Sequence, residues 1–134
     1  MYLSLLSKEE KFYFLDLISK LVNVDGTPSD TDVQVMDRLK YEMGEDAQRY
    51  RKGNWNIEKL IEYFSQKPKA TKNLVFMNLV SVSLYDEFYS VEEHFLIEEM
   101  QKIFGLTDKK KTDLMKLVYA ERDLREKAKR ILTE

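Results

Sequence analysis

The sequence predicts an all-α protein, a single-domain helical bundle of about six or seven helices formed from two pseudo-repeated helix-pair units. Three observations carry this expectation. Apolar residues recur at helical spacing along nearly the whole chain, and no segment alternates as a strand does. Only four Gly and two Pro occur in 134 residues, so little interrupts a helix. The order helix, acidic turn, capped helix, glycine stop occurs twice.

The elements follow in order. Ser7 and Glu10 form an S-x-x-E capping box ahead of Phe12, Phe14, Leu15, Ile18, Leu21 and Val22, which predicts a first helix ending near Val24. Asp25 and Gly26 terminate it, because Gly26 can take the left-handed conformation that closes a helix. Pro28 and Ser29 open a second helix that runs to about Met43, buries Val33, Met36, Leu39 and Met43, and stops at Gly44. Residues 45–56 form a polar insert that reads as loop or part helix. A short third helix over 57–64 carries Leu60 and Ile61, and Lys67-Pro68 breaks the chain before a fourth over about 70–84. With Leu74, Val75, Phe76, Met77, Leu79, Val80, Val82 and Leu84, the fourth is the most apolar helix and is expected at the centre, nearly encircled. A fifth helix starts at Ser90, points Phe95, Leu96, Met100, Ile103 and Phe104 inward, and stops at Gly105. Thr107 caps the last helix, which continues through Leu114, Leu117 and Val118 and is expected to bend before Leu124, Ala128 and Ile131.

The repeat is read by shifting the chain 61 positions, the difference between 86 and 25. Ile18 then falls on Leu79, Leu21 on Val82, Asp25 on Asp86, Ser29 on Ser90, Asp32 on Glu93, Leu39 on Met100, Met43 on Phe104 and Gly44 on Gly105. Polar and special positions match as well as core ones. Two units, about 8–44 and 70–105, joined by an insert of about 45–69 and followed by a C-terminal helix of about 107–132, can share one core within a single domain, 1–134.

Composition narrows the function classes. At 43% hydrophobic and 34% charged residues the chain is too apolar for disorder and too interspersed for a membrane protein. Residues 1–6 are apolar but short and lack a basic lead, so they read as neither signal peptide nor membrane span, and a cytoplasmic location with no membrane insertion is expected. The absence of Cys excludes disulfides, thiolate metal sites and a Cys nucleophile. A net charge of -2 gives no global case for nucleic acid. Charge is nevertheless polarised: residues 86–100 hold six acids and no Lys or Arg, whereas the tail from Thr107 is modestly basic.

Catalytic patterns are lacking. The single histidine, His94, matches the apolar Val33 in the repeat and reads as a partly buried helix residue. There is no Ser-His-Asp order with a nucleophile turn, no H-E-x-x-H and no phosphate-binding Gly loop, so the expectation is a protein that is not an enzyme. In the insert, Arg49, Tyr50, Arg51, Lys52 and Trp55 interleave bases with aromatics as single-strand binders do, but a Trp55 packed on the bundle with snorkelling bases around it is the better reading.

The acidic junctions are the candidate site. Asp25 ends one helix and Asp32 lies in the first turn of the next; Asp86 and Glu93 repeat the arrangement. Carboxylates facing each other across a tight turn offer hard oxygen ligands to a divalent metal ion such as Ca²⁺, Mg²⁺ or Mn²⁺. An acid three residues after a capping Ser is equally a capping-box element that needs no ligand, and both readings stand for Asp32 and Glu93. A calcium EF-hand is excluded, because Met36 and Ile97 occupy the twelfth positions where a bidentate Glu is required.

The string Asp25-Gly26-Thr27-Pro28-Ser29-Asp30-Thr31-Asp32 resembles the D-G-x-[IP]-S-x-x-E junction of the TerB-like tellurite-resistance family. The lead-in from Leu5 and the second unit around Asp86 resemble it too, so the likeness spans most of the chain. The resemblance implies an all-helical domain of two related halves, a role in tellurite and stress resistance, an acidic surface that binds metal ions, and protein partners that include membrane-linked assemblies. The family's acidic positions fall on Asp25, Asp32, Asp86 and Glu93. Two departures stand out: Asp32 occupies a place usually held by Glu, and Glu87 stands where the first unit has Gly26. The leading expectation is a non-catalytic binding module whose acidic junctions take a divalent metal ion or a basic partner; the alternative is a protein-interaction adaptor without metal, its acids being helix caps only and an apolar groove between the two units receiving a partner helix.

Overall fold

In a computed structural model the backbone is described for residues 1–22, 30–85 and 91–134, and the side chains for 1–21, 33–84 and 91–134. Among the described residues six α-helices and no strand are present: α1 Lys8–Val22, α2 Asp30–Met43, α3 Ile57–Ser65, α4 Lys69–Tyr85, α5 Val91–Ile103 and α6 Asp108–Thr133. Two short 3-10 turns, Leu3–Leu5 and Glu45–Arg49, precede α1 and follow α2.

The helix ends form where the side chains supply partners. The Ser7 N–H donates to Glu10 Oε1 (2.8 Å) and the Glu10 N–H donates to Ser7 Oγ (3.2 Å), closing the predicted capping box and satisfying two N–H groups that α1 itself leaves without partners. Asn56 accepts the Lys59 N–H at 2.9 Å to start α3, and Thr107 accepts the Lys110 N–H at 3.1 Å to start α6. Gly44 (φ 92°) and Gly105 (φ 69°), equivalent in the repeat, both lie in the region that a side chain disfavours, and there α2 and α5 stop.

α4 is the axis of the fold. It packs on α1, α3, α5 and α6, and Val75, Phe76, Met77, Leu79, Val80 and Val82 are all buried. α1 adds Phe14, Leu15, Leu17, Ile18 and Leu21 to the same core, while Leu60, Ile61 and Phe64 of α3 close it. Residues 1–6 belong to it as well. Leu3 and Leu6 are buried, and Asn78 Nδ2 of α4 donates to the Met1 carbonyl at 3.0 Å.

Repeat partners are buried together: Ile18 with Leu79, Leu21 with Val82, Leu39 with Met100, and Met43 with Phe104. Val33 and His94, also equivalent, are both exposed. This corrects the inward placement of Val33 and the partial burial of His94, whose imidazole pairs with Glu98 on the surface at 3.0 Å. Phe95 and Ile103 point outward too, because the core stripe of α5 runs through Leu96, Ile97 and Met100 and is too narrow to include them. Where a bend was expected before Leu124, α6 continues without interruption. α6 is one helix of 26 residues, and with no Gly or Pro inside it nothing breaks the hydrogen-bond ladder.

Candidate functional site

Of the four predicted ligands, Asp25 and Asp86 lie outside the described residues, and Asp32 is placed in α2 by its backbone alone. Glu93 is in the first turn of α5 and only 3% exposed, although an acid at that position on a surface helix ordinarily faces water. Among the described residues no three carboxylate or imidazole groups converge on one point. The junction geometry therefore reduces here to one buried carboxylate, Glu93, that opens α5.

The insert is clipped to α1 by four side chains of that helix. Asp16, buried, accepts the Tyr50 O–H and the Gly53 N–H, the latter at 3.1 Å. Burial, and then the Asp16 carboxylate it bonds, push the Tyr50 phenol well above its usual range. A Cβ on Gly53 would sit 2.6 Å from Asp16 Oδ2, so glycine allows the backbone to approach. Lys11, also buried, reaches Asp46 at 3.2 Å; Phe12 meets the Tyr50 ring edge-on at 5.7 Å; and Tyr13 stacks on Trp55 at 4.2 Å and 3°. Trp55 thus anchors the insert as the sequence suggested, with the Lys59 ammonium 4.5 Å above its ring. Arg49, Arg51 and Lys52 are exposed.

An apolar groove lies elsewhere than between the two units, where the sequence reading expected one. A groove of about 710 Å³ runs between the N-terminal segment, α4 and α6, with Leu5, Leu74, Met77, Leu114, Leu117 and Leu124 among its walls. Its polar lining is sparse: Tyr2, Thr71, Asn73 and Glu121. Leu117 is 55% exposed and Leu124 68%, so this is open apolar surface. Beside it, between α2, α4 and α6, a smaller cavity of about 180 Å³ carries Arg38, Glu42, Asn78 and Glu121. Burial, and then the nearby Arg38 guanidinium, press Arg125 below its usual value, and Glu121 answers with an ion pair at 3.3 Å.

The groove is assembled from residues far apart in sequence, so local periodicity could reveal only its parts: apolar Leu117 and Leu124 on the last helix, with no core element left to cover them. No helix among the described residues is long and apolar enough to cross a membrane. No family model, no curated protein and no solved structure matches the chain.

Proposed function

We propose that the chain is a non-catalytic, cytoplasmic binding module that works by receiving an amphipathic helix in the groove between its N-terminal segment, α4 and α6. The observation that carries this is the groove itself: an open apolar surface of about 710 Å³, walled by Leu5, Leu74, Met77, Leu117 and Leu124, with Glu121 the one charged side chain in its lining. A helix laid there would bury its own apolar stripe together with that surface. The test is a titration of isotope-labelled protein with a synthetic 20-residue Leu/Ala/Lys/Glu amphipathic helix. Amide resonances of residues 70–77 and 114–124 shift if the groove is the receptor. Shifts scattered over the molecule, or none, would reject it.

A second reading is favoured by Glu93: the four acids of the two junctions hold a divalent cation, as the resemblance to the TerB-like family implies, and such a role would tie the protein to tellurite and stress resistance. A buried carboxylate in the first turn of α5 is a hard oxygen donor of the kind Ca²⁺, Mg²⁺ and Mn²⁺ select. The expected outcome is a rise in melting temperature with millimolar cation beyond that given by NaCl at equal ionic strength. The rise is lost in the double variant Asp25→Asn with Asp86→Asn. A ligand at 100 times its dissociation constant adds about 2.7 kcal/mol, enough to be read in a domain of this size. Equal responses of wild type and variant would leave the acids as helix caps.

A further inference from the structure

The exposed face of α6 has a pattern that its packing within one chain does not explain. Leu117, Leu124 and Ile131 are spaced by seven residues and are 55%, 68% and 62% exposed. At 3.6 residues per turn they lie within about 20° of one line along the helix, with Ala120 and Ala128 about 40° to either side. This is a seam for another helix, narrow in its apolar width and flanked by small residues that let backbones approach.

The charges say which helix. Around Leu124 the sequence reads Glu121-Arg122-Asp123-Leu124-Arg125-Glu126-Lys127. Each charge before Leu124 is reversed in sign at the same distance after it. An antiparallel pair of such helices, related by a two-fold axis at Leu124, sets Leu117 level with Ile131 of the second copy and Ala120 level with its Ala128. Glu121 and Arg125 lie on one flank of the seam, Asp123 and Lys127 on the other. The two-fold then brings Glu121 against Arg125 of the second copy on the first flank, and Lys127 against its Asp123 on the second. A parallel pair does the reverse, setting Glu121 beside Asp123 and Arg125 beside Lys127. Like charges so placed are repulsive, so the pattern selects one direction.

We propose that a second copy of this chain occupies the groove, the two α6 helices packing antiparallel about Leu124 to form a two-fold dimer. The proposal rests on the reading of the groove as a helix receptor and names its occupant. α6 of the second copy lies against the Leu74 and Met77 wall as well as against α6, so one isologous contact covers both grooves at once.

Sedimentation equilibrium tests the association. The wild-type chain is expected at twice its monomer mass at micromolar concentration, and Leu124→Glu, a change at an exposed site, is expected at the monomer mass with an unchanged far-UV spectrum. Asp123→Lys sets Lys against Lys127 of the second copy and weakens the dimer at least tenfold, and adding Lys127→Asp restores it. Direction is read by cross-linking, since the chain has no cysteine of its own. A Leu117→Cys chain mixed with an Ile131→Cys chain yields the mixed disulfide, and neither yields a dimer alone. A monomeric wild type at 100 µM, or self-cross-linking of Leu117→Cys, overturns the proposal. If the wild type is monomeric while the synthetic helix still shifts residues 70–77 and 114–124, the dimer falls and the receptor stands; a dimeric wild type fills its own groove, so the titration is then read on the dissociated Asp123→Lys chain; if both tests fail, both fall.

Discussion

Asp16 shows how one side chain governs a segment 34 to 37 residues away. It is the buried acceptor for Tyr50 and Gly53, and its replacement by Ala leaves a phenol O–H and a backbone N–H without their partner. Asp16→Ala is expected to cost about 1–3 kcal/mol in urea unfolding, and Gly53→Ala to destabilise by forcing the carboxylate aside. Neither effect was legible in the sequence, where Asp16 is one more acid in an amphipathic helix and its partners are remote. The capping box was legible, since Ser7 and Glu10 lie three residues apart, and it carries a pH signature. Burial alone would raise the Glu10 carboxyl, but the Ser7 N–H and the Lys67 ammonium, 3.3 Å away, outweigh it and hold the group below its usual 4.5. A carboxyl lowered by folding contributes stability that is fully present above 4.5 and is lost as the pH falls through the lower folded value. Melting temperatures of wild type and Glu10→Gln, measured from pH 7 down to pH 2, should therefore converge in acid.

At the scale of the element, the sequence located the helix ends that fall within the described residues to within a residue or two because they carry chemical marks, Ser7, Thr107, Gly44 and Gly105, while the boundaries read at Gly26, Ser29 and Ser90 lie outside those residues. It placed α4 at the centre because its apolar residues occupy every face. Side-chain direction was less legible. Val33, Phe95 and Ile103 are apolar at helical spacing yet exposed, since periodicity reports the width of a stripe only when the neighbouring elements are known. Leu39 and Met100 are equivalent in the repeat and both buried, and truncating either to Ala is expected to lower unfolding free energy by about 2–5 kcal/mol. A loss confined to one of the two would show that only one helix pair depends on its position.

For the whole molecule, the insert is a closed surface packed on α1 and the groove an open one along α4 and α6. With Trp55 stacked on Tyr13 and Tyr50 tied to Asp16, the insert's aromatics are committed to packing. No binding to single-stranded nucleic acid is expected near physiological salt; a micromolar affinity that falls steeply with salt would contradict this. The acidic junctions were legible as a pattern because their residues are close in the chain, whereas the groove, built from residues 1–6, 70–77 and 114–124, exists only once the chain has folded. The position of α4 bears on how the molecule opens. The first turns of α4 border the groove, but residues 75–80 are buried without a break, so the backbone amides of that stretch reach water only when the whole bundle comes apart. Hydrogen–deuterium exchange at residues 75–80 should therefore track the free energy of global unfolding, whereas the exposed second half of α6 exchanges many times faster in any chain that is alone.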